Sequence, residues 1–222
     1  MERILVVCAH PDDETLGAGG TIAMHKKRNE RVFVLILATG QFGRDDTPGG
    51  IRLRQKQCQN ACSILDVDDV QFFGYDDQRL DSISLVELVE KIESVVKKIN
   101  PTIVYTHYWG DVNQDHRRVY EATLIATRPT PQSKIKQLLC FEIPSSTELG
   151  FGENRFNPNL FQNIKKTLNL KLRAFQQYKN EVQPYPHPRS KDAIVTRARY
   201  WGAMIGVEYV EAFISVREIK ND

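Results

Sequence analysis

The chain contains no apolar run approaching the ~18 residues that a membrane-spanning helix needs, which argues against an ordinary transmembrane segment. Charge of one dominant sign is also missing. Thirty Lys and Arg against 28 Asp and Glu leave a formal net charge of +2, without the basic stripe of a nucleic-acid binder or an acidic tail. Cysteine is scarce: the four residues Cys8, Cys58, Cys62 and Cys140 show no C-x-x-C spacing, so neither a disulfide framework nor a zinc ribbon is indicated. Cys58 and Cys62 fall one helical turn apart and read as a buried stripe of reduced thiols. No internal repeat is evident. Met1-Glu2-Arg3 runs into an apolar stretch too short for a secretory signal, so a cytoplasmic location is expected. A length of 222 residues favours one domain over 1–222, with a core over 1–130 and a part over 131–222 that completes the sheet and covers the pocket.

What the chain does have is a repeated alternation of strand and helix signals. Ile4–Cys8 and Val32–Ala38 are unbroken β-prone runs, the pattern of strands covered on both faces. Between them Leu16-Gly17-Ala18-Gly19-Gly20-Thr21 opens a helix whose glycines let it press against either the sheet or a ligand. Helices are predicted over Arg52–Leu65, with Leu53 on the apolar face, and over Leu85–Ile99. Strands are predicted at Val70–Gly74, Pro101–His107 and Leu138–Ile143. Asn159–Tyr178 and Ser190–Gly202 read as further helices, while the three prolines of Gln183–Ser190 exclude regular structure there. This alternation predicts an α/β fold: a Rossmann-like, doubly wound, mostly parallel sheet with helices on both faces. Its active site belongs at the carboxyl ends of the strands, where the first four strand-end loops should meet over one pocket.

The loop after the first strand carries the strongest chemical signal. Ala9-His10-Pro11-Asp12-Asp13-Glu14 crowds an imidazole and three carboxylates into one turn, at a cost that a bound cation would remove. The cluster reads either as a divalent metal held by His10 and one aspartate, with the other aspartate left as a base, or as a polar strand-to-helix turn capped by an aspartate. His10 and Asp13 supply two ligands, and His116, in the loop after the fourth strand, is the best third. Asp115 beside it either holds a ring or orients substrate. His25, in a charged helical stretch, is expected on a solvated face. His107 reads equally as strand-end packing or as support for the site, and Tyr108 and Trp109 either stack on a ring of the ligand or simply pack. His187 lies in the proline-rich segment, which forms either a wall of the pocket or a subunit contact. Two imidazoles and one carboxylate suit zinc, and also iron or manganese.

These motifs resemble the PIG-L-like (LmbE-like) N-acetylglucosaminyl deacetylase family. The resemblance rests on Ala9–Glu14, Gly19-Gly20-Thr21, Arg54 with Ala61 and Leu65, Asp77 after Gly74, and Asp111–His116. The closing stretch adds Arg189-Ser190, Gly202, Gly206-Val207-Glu208-Tyr209 and Glu211-Ala212-Phe213. It implies one Zn2+ per chain on His10, Asp13 and His116, Asp12 as general base, and a small-molecule amino-sugar substrate contacted by Arg54 and Asp77. No nucleic-acid partner is implied, and a homo-oligomer is expected. Two positions depart from the family: Asn113 stands where a histidine is common and Gln57 where a glutamate is. An amide donates a hydrogen bond but transfers no proton, so a bifunctional Asp12 or His187 must act as the acid. Two other functions fit the same scaffold, a metal-free nucleotide-binding module and an amidase acting on a thiol conjugate.

Overall fold

Every residue from Ile4 to Cys8 is fully buried, as an apolar run must be when helices cover both faces of a sheet. The computed structural model describes residues 1–41, 47–150 and 155–220. Its strands are β1 (Arg3–Cys8), β2 (Arg31–Ala38), β3 (Asp69–Tyr75), β4 (Ile103–His107), β5 (Gln137–Phe141), β6 (Leu160–Asn163) and β7 (Val210–Glu218). They form one sheet in the order β3-β2-β1-β4-β5-β7-β6. The first five run parallel to one another, and β7 runs antiparallel to both β5 and β6.

Six α-helices flank the sheet among the described residues: α1 (Asp13–Lys27), α2 (Pro48–Ile64), α3 (Leu85–Ile99), α4 (Gln114–Ala126), α5 (Leu168–Phe175) and α6 (Lys191–Ile205). Alternation along β1 divides them. Ile4, Val6 and Cys8 cluster with Leu16 and Ile22 of α1, Ala61 of α2, Leu172 of α5 and Ile194 of α6. Leu5 and Val7 cluster with Leu88 and Ile92 of α3 and Val119 and Ala122 of α4. The fold is therefore the mostly parallel α/β sheet expected, covered on both faces. Among the described residues no helix is long and apolar enough to cross a membrane.

The elements with strong local signals form where the sequence places them. Helix α3 matches Leu85–Ile99: Ser84 Oγ accepts from Glu87 N, and Asn100 stops it in the left-handed region at φ 50°. Helix α2 starts earlier than Arg52, because Thr47 caps it by accepting from Gly50 N and Pro48 takes the first turn. Leu53 is then 56% exposed and does not belong to the apolar face. Instead of one helix over Asn159–Tyr178, the chain forms β6 and then α5. Leu160–Asn163 is drawn into the sheet by pairing with Val210–Phe213 of β7, a partner some fifty residues away.

Helix α1 and the glycines of its first turns settle a further alternative. A Cβ at Gly17 would lie 2.4 Å from the Phe141 ring, and one at Gly20 would lie 2.8 Å from Ile164. The glycines thus serve close packing against protein, and a phosphate has no room to approach them. At the other end of this helix, His25 is buried, with Nδ1 2.6 Å from Glu30 Oε2 and Nε2 2.9 Å from the Tyr105 hydroxyl. It is not on a solvated face: it follows Ile22 by three residues and shares that helix's inward side.

Gly202 gives a stability test. Helix α6 ends at Gly206 with φ 72°, and Val207 N returns to donate to Gly202 O at 2.9 Å. A Cβ on Gly202 would stand 2.2 Å from the Val207 carbonyl oxygen, which is backbone and cannot swing away. Gly202→Ala should therefore cost about 3 kcal/mol, read as a lower urea midpoint at unchanged slope. A midpoint equal to that of the parent would contradict this packing.

Candidate active site

The turn between β1 and α1 is folded on itself. Asp12 adopts φ 109°, a conformation that costs a non-glycine residue of order 1–3 kcal/mol. Its backbone N–H donates to Glu14 Oε2 at 3.0 Å, while Glu14 Oε1 accepts from the Tyr178 hydroxyl at 2.5 Å. Burial, with the charge of Asp12 nearby, pushes Glu14 up to about 7. His10 N donates to Asp13 Oδ2 at 2.8 Å, which turns the Asp13 side chain back toward the His10 ring.

His10, Asp13 and His116 converge: each is buried and offers a donor atom, and these atoms lie within 4.8 Å of one another. Asp13 Oδ1 has no hydrogen-bond partner among the described residues and lies 3.6 Å from His116 Nε2. A buried carboxylate oxygen without a donor is costly unless a cation meets it. Burial opposes the charge on Asp13, but the imidazoles of His116, His107 and His10 hold its carboxyl far below the usual range. The donor set and its orphaned oxygen fit a divalent metal with open coordination positions.

Second contacts orient each imidazole. His10 Nε2 lies 2.9 Å from Asp77 Oδ1 and 3.1 Å from Asp115 Oδ2. Facing two carboxylates, that nitrogen is placed to hold a proton, which turns Nδ1 toward Asp13 as an atom that could meet a cation. Burial alone would lower the His10 pKa, but hydrogen bonds to Asp115 and Asp77 and the charge of Asp13 outweigh it and push it up to about 10. Asp115 is anchored in turn by Gln78 N and Leu80 N. His116 Nδ1 lies 3.1 Å from Asp111 Oδ2, which also accepts from Ser146 Oγ at 2.9 Å and Thr147 Oγ1 at 2.5 Å. Burial raises the Asp111 carboxyl, yet its contact with His116 brings it below the ordinary value. His107 stacks on His116 at 4.1 Å and accepts from Ala9 N through Nε2. Burial and the neighbouring His116 push it down to about 4, so the ring is neutral near pH 7 and both packs and supports the site.

These groups open onto a cavity of about 240 Å³. Its walls come from the first four strand-end loops, through His10 and Asp12, Gly40, Asp77 and Gln78, and Asn113 and His116. The loop after β5 adds Ser145 and Ser146, and Arg189 closes one side. Asp13 and Asp115 stand behind the wall.

Several expected substrate contacts have other partners. Arg54 reaches the wall, but its Nη2 donates to Pro11 O at 2.7 Å and Asp12 Oδ2 at 2.8 Å, and its Nη1 lies 3.1 Å from Glu181 Oε1. Asp77 holds His10. Asp115 is fully buried behind the wall, with Oδ2 3.1 Å from His10 Nε2. Asn113 caps α4 by accepting from Asp115 N at 2.9 Å while remaining in the wall. His187 is exposed, lies outside the wall, and accepts from Arg189 N through Nδ1 at 3.0 Å. Tyr108 is buried with Cys140 and Ile214, and the Trp109 ring packs against it, tilted by 52° with centroids 4.5 Å apart; neither lines the cavity. Sequence reasoning overlooked Ser145 and Ser146, although the predicted strand ending at Ile143 placed them at the correct edge. Glu181 and Asp111 carried no separate signal.

Residues 5–127, more than half of the chain, match the PIG-L family, described as GlcNAc-PI de-N-acetylase. The chain belongs to the PIG-L family. It is 27% identical over 82% of its length to a probable N-acetyl-alpha-D-glucosaminyl L-malate deacetylase of Bacillus cereus, covering 86% of that protein. It is 31% identical over 80% of its length to the uncharacterised deacetylase YaiS of Escherichia coli K12, covering 90% of it. Among solved structures, a conserved protein of Thermus thermophilus superimposes with a TM-score of 0.81 at 26% identity, covering 100% of this chain and 98% of that one. The PIG-L match spans the turn with His10, Asp12 and Asp13 as well as His116, whereas Ser145, Ser146 and Arg189 of the cavity wall lie beyond it.

Proposed function

We propose that this protein hydrolyses the N-acetyl amide of an amino sugar or amino-sugar conjugate of the N-acetylglucosamine type, releasing acetate and a free amine. The reading is supported most by Asp13 Oδ1, the orphaned oxygen that converges with His10 and His116 just behind the wall of a polar cavity. Those three residues would hold one zinc ion per chain. A divalent cation there supplies a Lewis acid for the amide carbonyl and lowers the pKa of water toward neutrality.

The remaining chemistry belongs to the chain. Asp12 takes the proton of the attacking water, within reach of the pocket and held against Arg54. The leaving nitrogen needs a proton back. Asn113 has none to give, and His187 lies outside the cavity, so the proton held by Asp12 returns to the amine. Ser145, Ser146, Gln78 and Asn113 offer polar groups for sugar hydroxyls. The glycine-rich start of α1 is filled by Phe141 and Ile164 and gives a nucleotide no seat.

Acetate release from a panel of N-acetylhexosamines, their glycosides and an N-acyl thiol conjugate tests the substrate class. Turnover confined to the thiol conjugate would contradict it. Reconstitution with zinc, iron or manganese ranks the metals. Asp12→Asn should keep its metal and lose about 10²–10⁴-fold in kcat. Full turnover by that variant would remove Asp12 as the base.

A further inference from the structure

The Asp12 side chain belongs to a closed ring of four charges. Arg54 Nη2 and Arg189 Nη1 both donate to its Oδ2, at 2.8 and 3.1 Å. Glu181 receives the same two guanidiniums on the far side, with Oε1 3.1 Å from Arg54 Nη1 and Oε2 accepting from Arg189 Nη1 at 2.6 Å. Asp12, Arg54 and Glu181 are buried, whereas the Arg189 side chain is 18% exposed and lines the cavity. Arg189 arrives at the end of the proline-rich segment. Its Nε donates to Ser145 Oγ at 2.9 Å, which fixes the plane of the guanidinium.

Both cations address a single carboxylate oxygen. Asp12 Oδ1 accepts no hydrogen bond among the described residues, so it is the oxygen left for a proton in the cavity. The terminal torsion of an aspartate is broad and nearly two-fold, so one guanidinium alone leaves the carboxylate free to rock or to exchange its oxygens. A second, arriving from another part of the chain, removes that freedom. Two guanidiniums on one oxygen repel each other, and Glu181, bridging them, offsets the repulsion.

We propose that Arg189 is a positioning residue: together with Arg54 it locks the Asp12 carboxylate with Oδ1 toward the reacting water, and the proline-rich segment delivers it. This rests on the reading of Asp12 as the base. Arg189→Ala should lower kcat about 10²-fold, the scale on which small misplacements of a reacting group act, with metal content and thermal midpoint close to those of the parent. Arg189→Lys should recover only part, since one ammonium at the place of Nη1 could meet both carboxylates but would leave Ser145 Oγ without the donor that Nε supplies. Guanidinium ion at non-denaturing concentration should restore the alanine variant, and its crystal structure should show the Asp12 carboxylate rotated. An unchanged kcat overturns the proposal. So does a loss that follows falling metal content or midpoint and is not rescued by guanidinium, which marks a merely structural strap. Asp12→Asn, assayed in parallel, separates the two failures. If it is fully active, the reading of the base falls; if it is inactive while Arg189→Ala runs at the parental rate, only the positioning role falls.

Discussion

Asp13→Ala is expected to empty the proposed cation site and reduce acetate release to background. Elemental analysis should fall from about one metal per chain toward zero. The substitution removes a buried oxygen that lacks a donor among the described residues, and it also removes the acceptor that holds His10 N at 2.8 Å. Two imidazoles would then face each other without an anion, and a cation between them would lose its only charged ligand. Asp115→Asn tests the same centre at one remove. The amide keeps the shape but no longer offers His10 Nε2 a charged acceptor, and metal affinity should fall about 10–100-fold. Asp13→Ala protein that retains one tightly held metal and turns over substrate would contradict the assignment.

Lys171→Met is expected to destabilise the fold by about 3–5 kcal/mol, the largest effect on stability foreseen away from the cavity. Lys171 and Glu211 are both buried, and Lys171 Nζ donates to Glu211 Oε1 at 2.6 Å and to Leu16 O at 2.7 Å. Glu211 also accepts from Gly20 N, Thr21 N and Thr21 Oγ1 at 2.9, 2.7 and 2.6 Å. The pair thus ties α5 and β7 to the backbone of α1, the helix that begins at Asp13. Removing the lysine alone leaves a buried carboxylate without its cation. Lys171→Met combined with Glu211→Gln should cost less than the sum of the single changes, because the uncompensated charge is gone. Urea titrations check this. Single-variant costs below about 1 kcal/mol would mean that water or another cation replaces the lysine.

What the sequence made legible follows the range of the forces involved. Leu85–Ile99 formed as expected because its apolar spacing, its serine cap and its left-handed asparagine all lie within one stretch of chain. The continuous runs of β1 and β2 announced strands buried on both faces, and that fixed the edge of the sheet where His10, Asp12 and His116 meet. Leu160–Asn163 carried no such signal, since those four residues are strand only by pairing with Val210–Phe213. The lysines beside His25 suggest a solvated face, but Ile22, three positions earlier, marks the inward side that His25 shares.

The site divides in the same way. The cluster from His10 to Glu14 was visible because like charges so close together demand a reason. The partners of Arg54 and Asp77 were not, because an exposed sugar contact and a buried brace use the same side chains, and only the third dimension separates them. Asp77 and Asp115 brace His10, and Arg54 clamps Asp12. The sequence offers His187 as a proton donor, whereas its neighbour two residues on, Arg189, is the side chain that reaches the cavity.

Anomalous diffraction from a crystal of the purified protein, collected on both sides of the zinc edge, tests the central claim most directly. The account predicts one strong peak per chain, about 2.0–2.2 Å from Nδ1 of His10, Nε2 of His116 and a carboxylate oxygen of Asp13. A zinc-loaded, active crystal with no peak among those three residues, or with its peak elsewhere in the chain, would contradict it.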